Sequence, residues 1–346
     1  MKRVSEKIRH QFFIRSKKEL RIRQKRNAYR KKHKRRIYPD TNHSRDLHKG
    51  SDFTSVVHAP ANLSVLDNTT ETLRFFNNVH KTIQSTNIRG KIFFDLSAVS
   101  YVTVDAIMYL IATVTNVRKI RALGINCFGN LPNDDTARRK FETCGFYSYV
   151  APSYHLKNES SGNHINISRG CDADPILAGK ICEFVHEHAN SNRLKTKHLY
   201  TTIMELMTNT KQHAYKNTTK MICNWYVFVE DSNDFMKFVF LDTGAGIPNT
   251  VRTKGVVEKI KNLLSKDDAF FIASALRGEF RSETNLEYRG KGLPEVYKRV
   301  SCKEYADFAI VSGFGKCIID DDKTIREEKM DEELIGTMLC WKLLKQ

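Results

Sequence analysis

Leu66, Leu73, Phe76, Val79 and Ile83 fall on one helical face, and the apolar run that follows, KIFFDLS at 91–97, is short enough to read as a buried strand. Helical spacing returns over 103–123, GINCFG (124–129) reads as a strand, and a further helix fits 133–144, closed by Gly145. Strands alternating with helices predict a small α/β layer with at least some parallel pairing. A stretch rich in Ser, Asn and Gly, 151–168, separates this from a second pattern that opens near Ile165. There Ile176, Leu177, Ile181, Phe184, Val185 and His188 mark one helix, and Leu199, Ile203, Leu206 and Met207 mark the next. KMICNWYVFV (220–229) and FMKFVFLD (235–242) read as strands joined by the polar turn EDSND. A long irregular region then leads to a helix near 293–301 and to strands near 308–313, 316–320 and 335–344. Helices on one side of a mixed sheet make an α/β sandwich the expected form of this second unit.

Charge adds a third segment. The chain of 346 residues has a formal net charge of +18, and residues 1–38 alone hold 17 Lys and Arg against Glu6 and Glu19. That leaves 40 basic and 37 acidic residues elsewhere, so the rest is close to neutral. The expected division is a basic arm and linker over 1–52, an α/β domain over 53–150 and a second domain over 165–346. An arm containing RIRQKRNAYRKKHKRR would gain counterion-release free energy on a polyanion, and Phe12, Phe13 and Tyr29 could stack on unpaired bases. Nucleic acid bound through residues 1–38 is one reading. A solvated tail is another, and Val4, Ile8 and Phe12 at i+4 spacing also allow a short amphipathic helix on an anionic membrane.

The most apolar run, Ala106–Val114, is too short to cross a membrane, and no secretory segment follows the start. No transmembrane segment is expected, and a cytoplasmic location is. The eight cysteines form no CxxC pair, which indicates neither a zinc site nor a disulfide framework.

Three features of the second unit carry chemistry. ELMTNTKQHAY (205–215) sets Glu205, Asn209 and His213 on one helical face; DTGAGIP (242–248) directly follows a strand; RGKGL (289–293) directly precedes a helix. Each alone has a bland reading, as a core polar group, a turn or a helix entry. In this order and separation they resemble the N, G1 and G2 boxes of the GHKL ATPase superfamily of gyrases, histidine kinases and mismatch-repair proteins. The version in anti-sigma-factor kinases is the most similar.

The resemblance implies a GHKL α/β sandwich, the Bergerat-type ATP-binding fold, with ATP and Mg²⁺ as ligands. Asn209 would supply a hard amide oxygen to Mg²⁺, and Asp242 would accept from the adenine amino group. Gly244 and Gly246, with Ile247 beside them, would let the backbone approach the purine. Arg289, Gly290, Lys291, Gly292 and Leu293 would hold phosphate at a helix N-terminus. Glu205 would be the catalytic base, and His213 a second-rank neighbour of the phosphates. The 40 residues from Asn249 to Tyr288, with AFFIASAL (269–276) in the middle, are expected to form the ATP lid, with Arg281 and Lys254 as phosphate contacts. His186 is an unsuitable phosphoacceptor because it lies inside this domain's own first helix, and His186 and His188 diverge too far at i, i+2 to share a zinc ion.

The stretch IFFDLSAVSYVTVDAIMYLIA resembles the STAS fold of anti-sigma-factor antagonists, covering about 53–150. Where those proteins carry Asp-Ser-Ser-Gly, this chain has Thr103, Val104, Asp105 and Ala106, so an aspartate stands at the switch position. The plainer expectation is that Thr103 or Asp105 caps the helix. Together these features predict a STAS-like α/β domain followed by the GHKL domain. The function expected is an Mg·ATP-dependent regulatory switch that hydrolyses ATP or phosphorylates a partner protein on Ser or Thr. Two alternatives stay open: a homodimeric state, and a non-catalytic adaptor tethered to nucleic acid that binds ATP only structurally or not at all.

Overall fold

The alternating pattern of the first unit builds a three-stranded parallel sheet in the order β1-β3-β5. Chain order in this unit is β1 (Ser55–His58), β2 (Asn62–Leu63), α1 (Thr69–Ser85), β3 (Lys91–Asp95), β4 (Tyr101–Val102), α2 (Val104–Asn116), α3 (Arg118–Leu123), β5 (Asn126–Gly129), α4 (Asp135–Thr143) and α5 (Tyr147–Val150). The second unit continues with β6 (His164–Gly170), α6 (Pro175–Ala189), α7 (Arg193–His213), β7 (Trp225–Asp231), β8 (Phe235–Asp242) and α8 (Ile247–Thr253). It ends with α9 (Asp268–Arg277), α10 (Gly292–Ser301), β9 (Ala306–Ile319) and β10 (Ile325–Leu344). This is a computed structural model that describes residues 55–150, 162–189, 193–213, 221–253, 266–279 and 292–345. The basic arm lies outside the described residues, which belong to one compact unit.

Helix α1 forms with Leu73, Phe76, Val79 and Ile83 fully buried, but Leu66, expected on the same face, lies in the turn before it. The helix expected over 103–123 is instead two. Val117 takes an extended conformation (φ −61°, ψ 123°) and forms an isolated antiparallel bridge with Met221 of the second unit. Tertiary pairing breaks the helix there, and nothing in the local spacing announces it.

Five strands in the order β6-β7-β8-β10-β9 form the second sheet. Every neighbouring pair is antiparallel, which corrects the expectation of a mixed sheet. Two strands read near 308–313 and 316–320 are one, β9, and β10 runs for 20 residues where only its last half was expected. The charged stretch of β10, Arg326–Glu333, hides a strand because its side chains are largely exposed. The polar segment expected up to 168 includes the edge strand β6, and β7 begins at Trp225 rather than at 220.

Both faces of this sheet are buried. Trp225, Val227, Phe238, Phe240, Leu339 and Trp341 face helices α6, α7, α9 and α10, with Phe238 and Trp341 stacked at 4.9 Å. The alternate residues Tyr226, Phe228, Val239, Leu241, Met338 and Cys340 join the core of the first unit. Period-two alternation therefore places apolar side chains on either side, and the strands read as continuous apolar runs. The first unit docks through α1 against β10 and α2 against β8. Polar contacts fix the docking: Ile335 N–H donates to the buried Tyr109 hydroxyl (2.8 Å), and Lys140 pairs half-buried with Glu230 (2.5 Å).

Candidate nucleotide site

Helix α7 is anchored on the outer face of the sheet by Leu199, Ile203, Leu206 and Met207, all buried. This fixes the neighbouring face, where Glu205 and Asn209 lie one turn apart and half-buried. Gly292, the first residue of α10, sits against that face. A Cβ at Gly292 would lie 3.0 Å from Asn209 Nδ2 and 3.4 Å from Glu205 Oε2, so the helix start is seated closely against these two side chains. Burial pushes the Glu205 carboxyl up from its ordinary value, which suits a base.

At the end of β8, Asp242 is buried, and desolvation pushes its carboxyl up to about 7. Opposing this are the Gly244 N–H, which donates to Oδ1 at 2.6 Å, and the Thr210 hydroxyl. Thr210 adjoins Asn209 on α7 and is fully buried, so one helix serves both halves of the site. Gly246 has φ +79°, and a Cβ there would come within 3.0 Å of Ser312 Oγ and 3.1 Å of Gly336 O. Ser312 Oγ in turn accepts from Ile247 N–H (3.0 Å) and donates to Gly336 O (2.7 Å). Gly336 (φ +107°) lies where β10 departs from regular register, and a Cβ on it would stand 2.0 Å from the Asp242 carbonyl oxygen. The irregular β10 thus closes the DTGAGIP loop from below.

Glu205, Asn209, Gly292, Asp242, Gly244, Gly246 and Ile247 accordingly belong to one neighbourhood, while Leu293 packs partly buried on the helix-side core. Arg289, Gly290, Lys291, Arg281, Lys254 and the side chain of His213 lie outside the described residues. The expected lid needs correction. Its middle, α9, is a core helix with Ala269, Ile272, Ala273 and Leu276 buried on the sheet, so AFFIASAL cannot swing over a ligand. Thr210, Ser312 and Gly336 escape a sequence reading because strand pairing, not spacing, brings them together. Thr243, inside the DTGAGIP motif, was visible there.

Asp105 has a different task from the one expected. Neither Thr103 nor Asp105 caps α2 through its side chain. Asp105 is buried and accepts from the N–H groups of Val65 (3.1 Å) and Leu66 (3.3 Å), pinning the loop before α1. The DLS turn is likewise built from within: Asp95 accepts from Ser97 N–H (3.0 Å) and Asn130 Nδ2 (2.7 Å). His188 Nδ1 lies 2.9 Å from its own helix at Phe184 O, in keeping with a packing role.

No protein-family model matches the chain, and no curated protein matches it in sequence. Among the described residues, no helix is long and apolar enough to cross a membrane, and no group of three or more His, Cys, Asp or Glu could hold a metal ion. All eight cysteines are free.

Proposed function

We propose that this chain binds Mg·ATP between α7, the DTGAGIP loop and the start of α10, and acts as a nucleotide-dependent regulatory switch. The observation that carries this reading is the seating of Gly292 against Asn209 and Glu205, beside a buried carboxyl at Asp242. Asp242 accepts from the adenine amino group, beside the backbone of the glycine turn. The N-terminus of α10 offers N–H groups and a favourable dipole end to phosphate. Asn209 fits magnesium as a neutral oxygen donor, since a magnesium ion keeps most of its waters and needs few protein ligands; bound there, it would neutralise charge on the phosphate oxygens. Glu205, one turn away and of raised basicity, orients and deprotonates the attacking hydroxyl of water or of a partner's Ser or Thr.

Isothermal titration of ATP tests the assignment. Asn209→Ala should weaken binding far more in magnesium than in chelator, and Asp242→Ala should weaken adenine nucleotides in both. Tight ATP binding by the Asp242→Ala variant would overturn it. ATP labelled at the γ-phosphate then distinguishes hydrolysis from transfer, by label released as free phosphate or recovered on protein.

A further inference from the structure

A four-residue strap, Met221–Asn224, is hydrogen-bonded on one side to the candidate nucleotide site and on the other to the N-terminal unit. On the site side stands Thr243, fully buried and adjacent to Asp242. Its hydroxyl donates to Ile222 O (2.7 Å) and accepts from Asn224 N–H (3.0 Å), and its own N–H donates to Asn224 O (3.0 Å). On the other side, Ile222 N–H donates to Asn116 O (3.1 Å), and Met221 pairs with Val117, the residue that breaks the helix between α2 and α3. Asn116 is itself fully buried: its amide donates to the Tyr226 hydroxyl, and its side-chain oxygen accepts from Arg121 (3.4 Å) and Arg169 (3.5 Å).

Ile222 therefore spends its carbonyl on the site and its N–H on the N-terminal unit. Each bond joins the half-buried Ile222 to a fully buried residue, Thr243 or Asn116, so neither end can shift without the other following or a polar group of the buried partner losing its bond. We propose that Thr243 is a positioning residue that couples the nucleotide site to the N-terminal unit through this strap. ATP at Asp242 then changes the stability of the α2–α3 break, and the N-terminal unit is the effector surface of the site, in the same chain. This rests on the ATP reading above. By linkage the coupling runs both ways: whatever the N-terminal unit binds alters nucleotide affinity by the same factor.

Hydrogen exchange of the full chain, read by mass spectrometry, tests it. In the wild type, saturating Mg·ATP should slow exchange across 112–123 and 221–224 by roughly fivefold or more. Thr243→Val, which keeps the shape and removes the hydroxyl, should lose the slowing at 112–123 at ATP concentrations that calorimetry shows to saturate the variant; Thr243→Ser should restore it. Asn116→Ala keeps the backbone carbonyl that accepts from Ile222 but removes the side chain that ties this position to Tyr226, Arg121 and Arg169, so it should loosen the far end of the route and weaken the slowing at 112–123 without touching the site. Slowing at 112–123 that persists in Thr243→Val, or bound ATP that leaves 112–123 unchanged in the wild type, overturns the proposal. The nucleotide-free chain supplies an independent arm. There Thr243→Val should speed exchange at 112–123 as well as at 221–224, and an effect confined to 242–247 overturns the connection. If calorimetry finds no nucleotide while this arm succeeds, the ATP reading falls and the connection stands.

Discussion

Replacing Asp242 with asparagine should change how stability depends on pH, by an amount the structure sets. The folded protein holds the Asp242 proton up to about pH 7, against an ordinary value of 3.8 for a solvated aspartate. Between those values the folded form binds a proton that the unfolded chain has released, so this group's contribution is greatest in acid and is lost as pH rises through 7. The full span corresponds to about 4 kcal/mol, and about 2 kcal/mol of it falls between roughly pH 5.5 and pH 8. Asparagine keeps the oxygen that accepts from Gly244 N–H and offers an amide to Thr210, so it mimics the protonated acid without titrating. Urea denaturation of both proteins at the two pH values isolates the term, because every other titrating group cancels in the difference. The wild type should lose about 2 kcal/mol more than Asp242→Asn on going to the higher pH. Equal losses would refute the argument, since they would mean that Asp242 is solvated or paired. A ligand amino group donating to this carboxyl favours its ionised form, so ATP binding near pH 7 should also expel a proton. Titration in buffers of different ionisation enthalpy measures that release directly.

Glu205→Gln should retain ATP affinity and lose turnover by roughly 10²- to 10⁴-fold, because a base acts in the transition state; unchanged turnover would leave Glu205 a structural residue. Asp105→Ala should cost about 2 kcal/mol in denaturant unfolding, since one buried and one half-buried N–H group lose their acceptor, and a loss under about 0.5 kcal/mol would contradict the pinning role. Because position 105 is buried, neither the wild type nor Asp105→Ser should take up phosphate at 103–105 with ATP, a point that mass spectrometry settles. Deleting residues 1–38 should spare ATP binding and abolish nucleic-acid binding, which in the intact chain should weaken with salt at a log–log slope of about 0.7–0.9 per neutralised phosphate; equal binding by the truncated chain would move that interface onto the folded part.

What the sequence revealed and what it hid divide by range. Helices with a single buried face, α1 and α10, were legible because Leu73, Phe76 and Val79, or Val296 and Val300, repeat at helical spacing. β8 was found at its true bounds since an apolar run ended in a glycine turn. Val117 was misread because its extended conformation serves a pairing with Met221 that lies far away in the chain. The charged half of β10 was missed because exposed Glu and Lys carry no apolar period, and α9 was mistaken for a lid because an apolar stretch between two polar ones says nothing about what it packs on. In the site, Glu205, Asn209, Asp242 and the glycines stood in recognisable spacing. Thr210 as a partner of Asp242, and Ser312 with Gly336 as the floor of the loop, follow only from register.

The sheet order β6-β7-β8-β10-β9 has a consequence for how the molecule is made. Of the ten strands among the described residues β10 is synthesised last, yet its place is between β8 and β9. While a ribosome still holds that stretch, β8 presents an unpaired edge and β9 has no neighbour to join, and the apolar faces on either side have no finished sheet to close upon. The earlier α/β unit can collapse during translation, but the surface it is shaped to cover arrives only with Ile325–Leu344. Folding of the candidate-site layer therefore waits for β10, and nascent chains stalled before it should be held by chaperones or aggregate rather than accumulate as a stable half-protein.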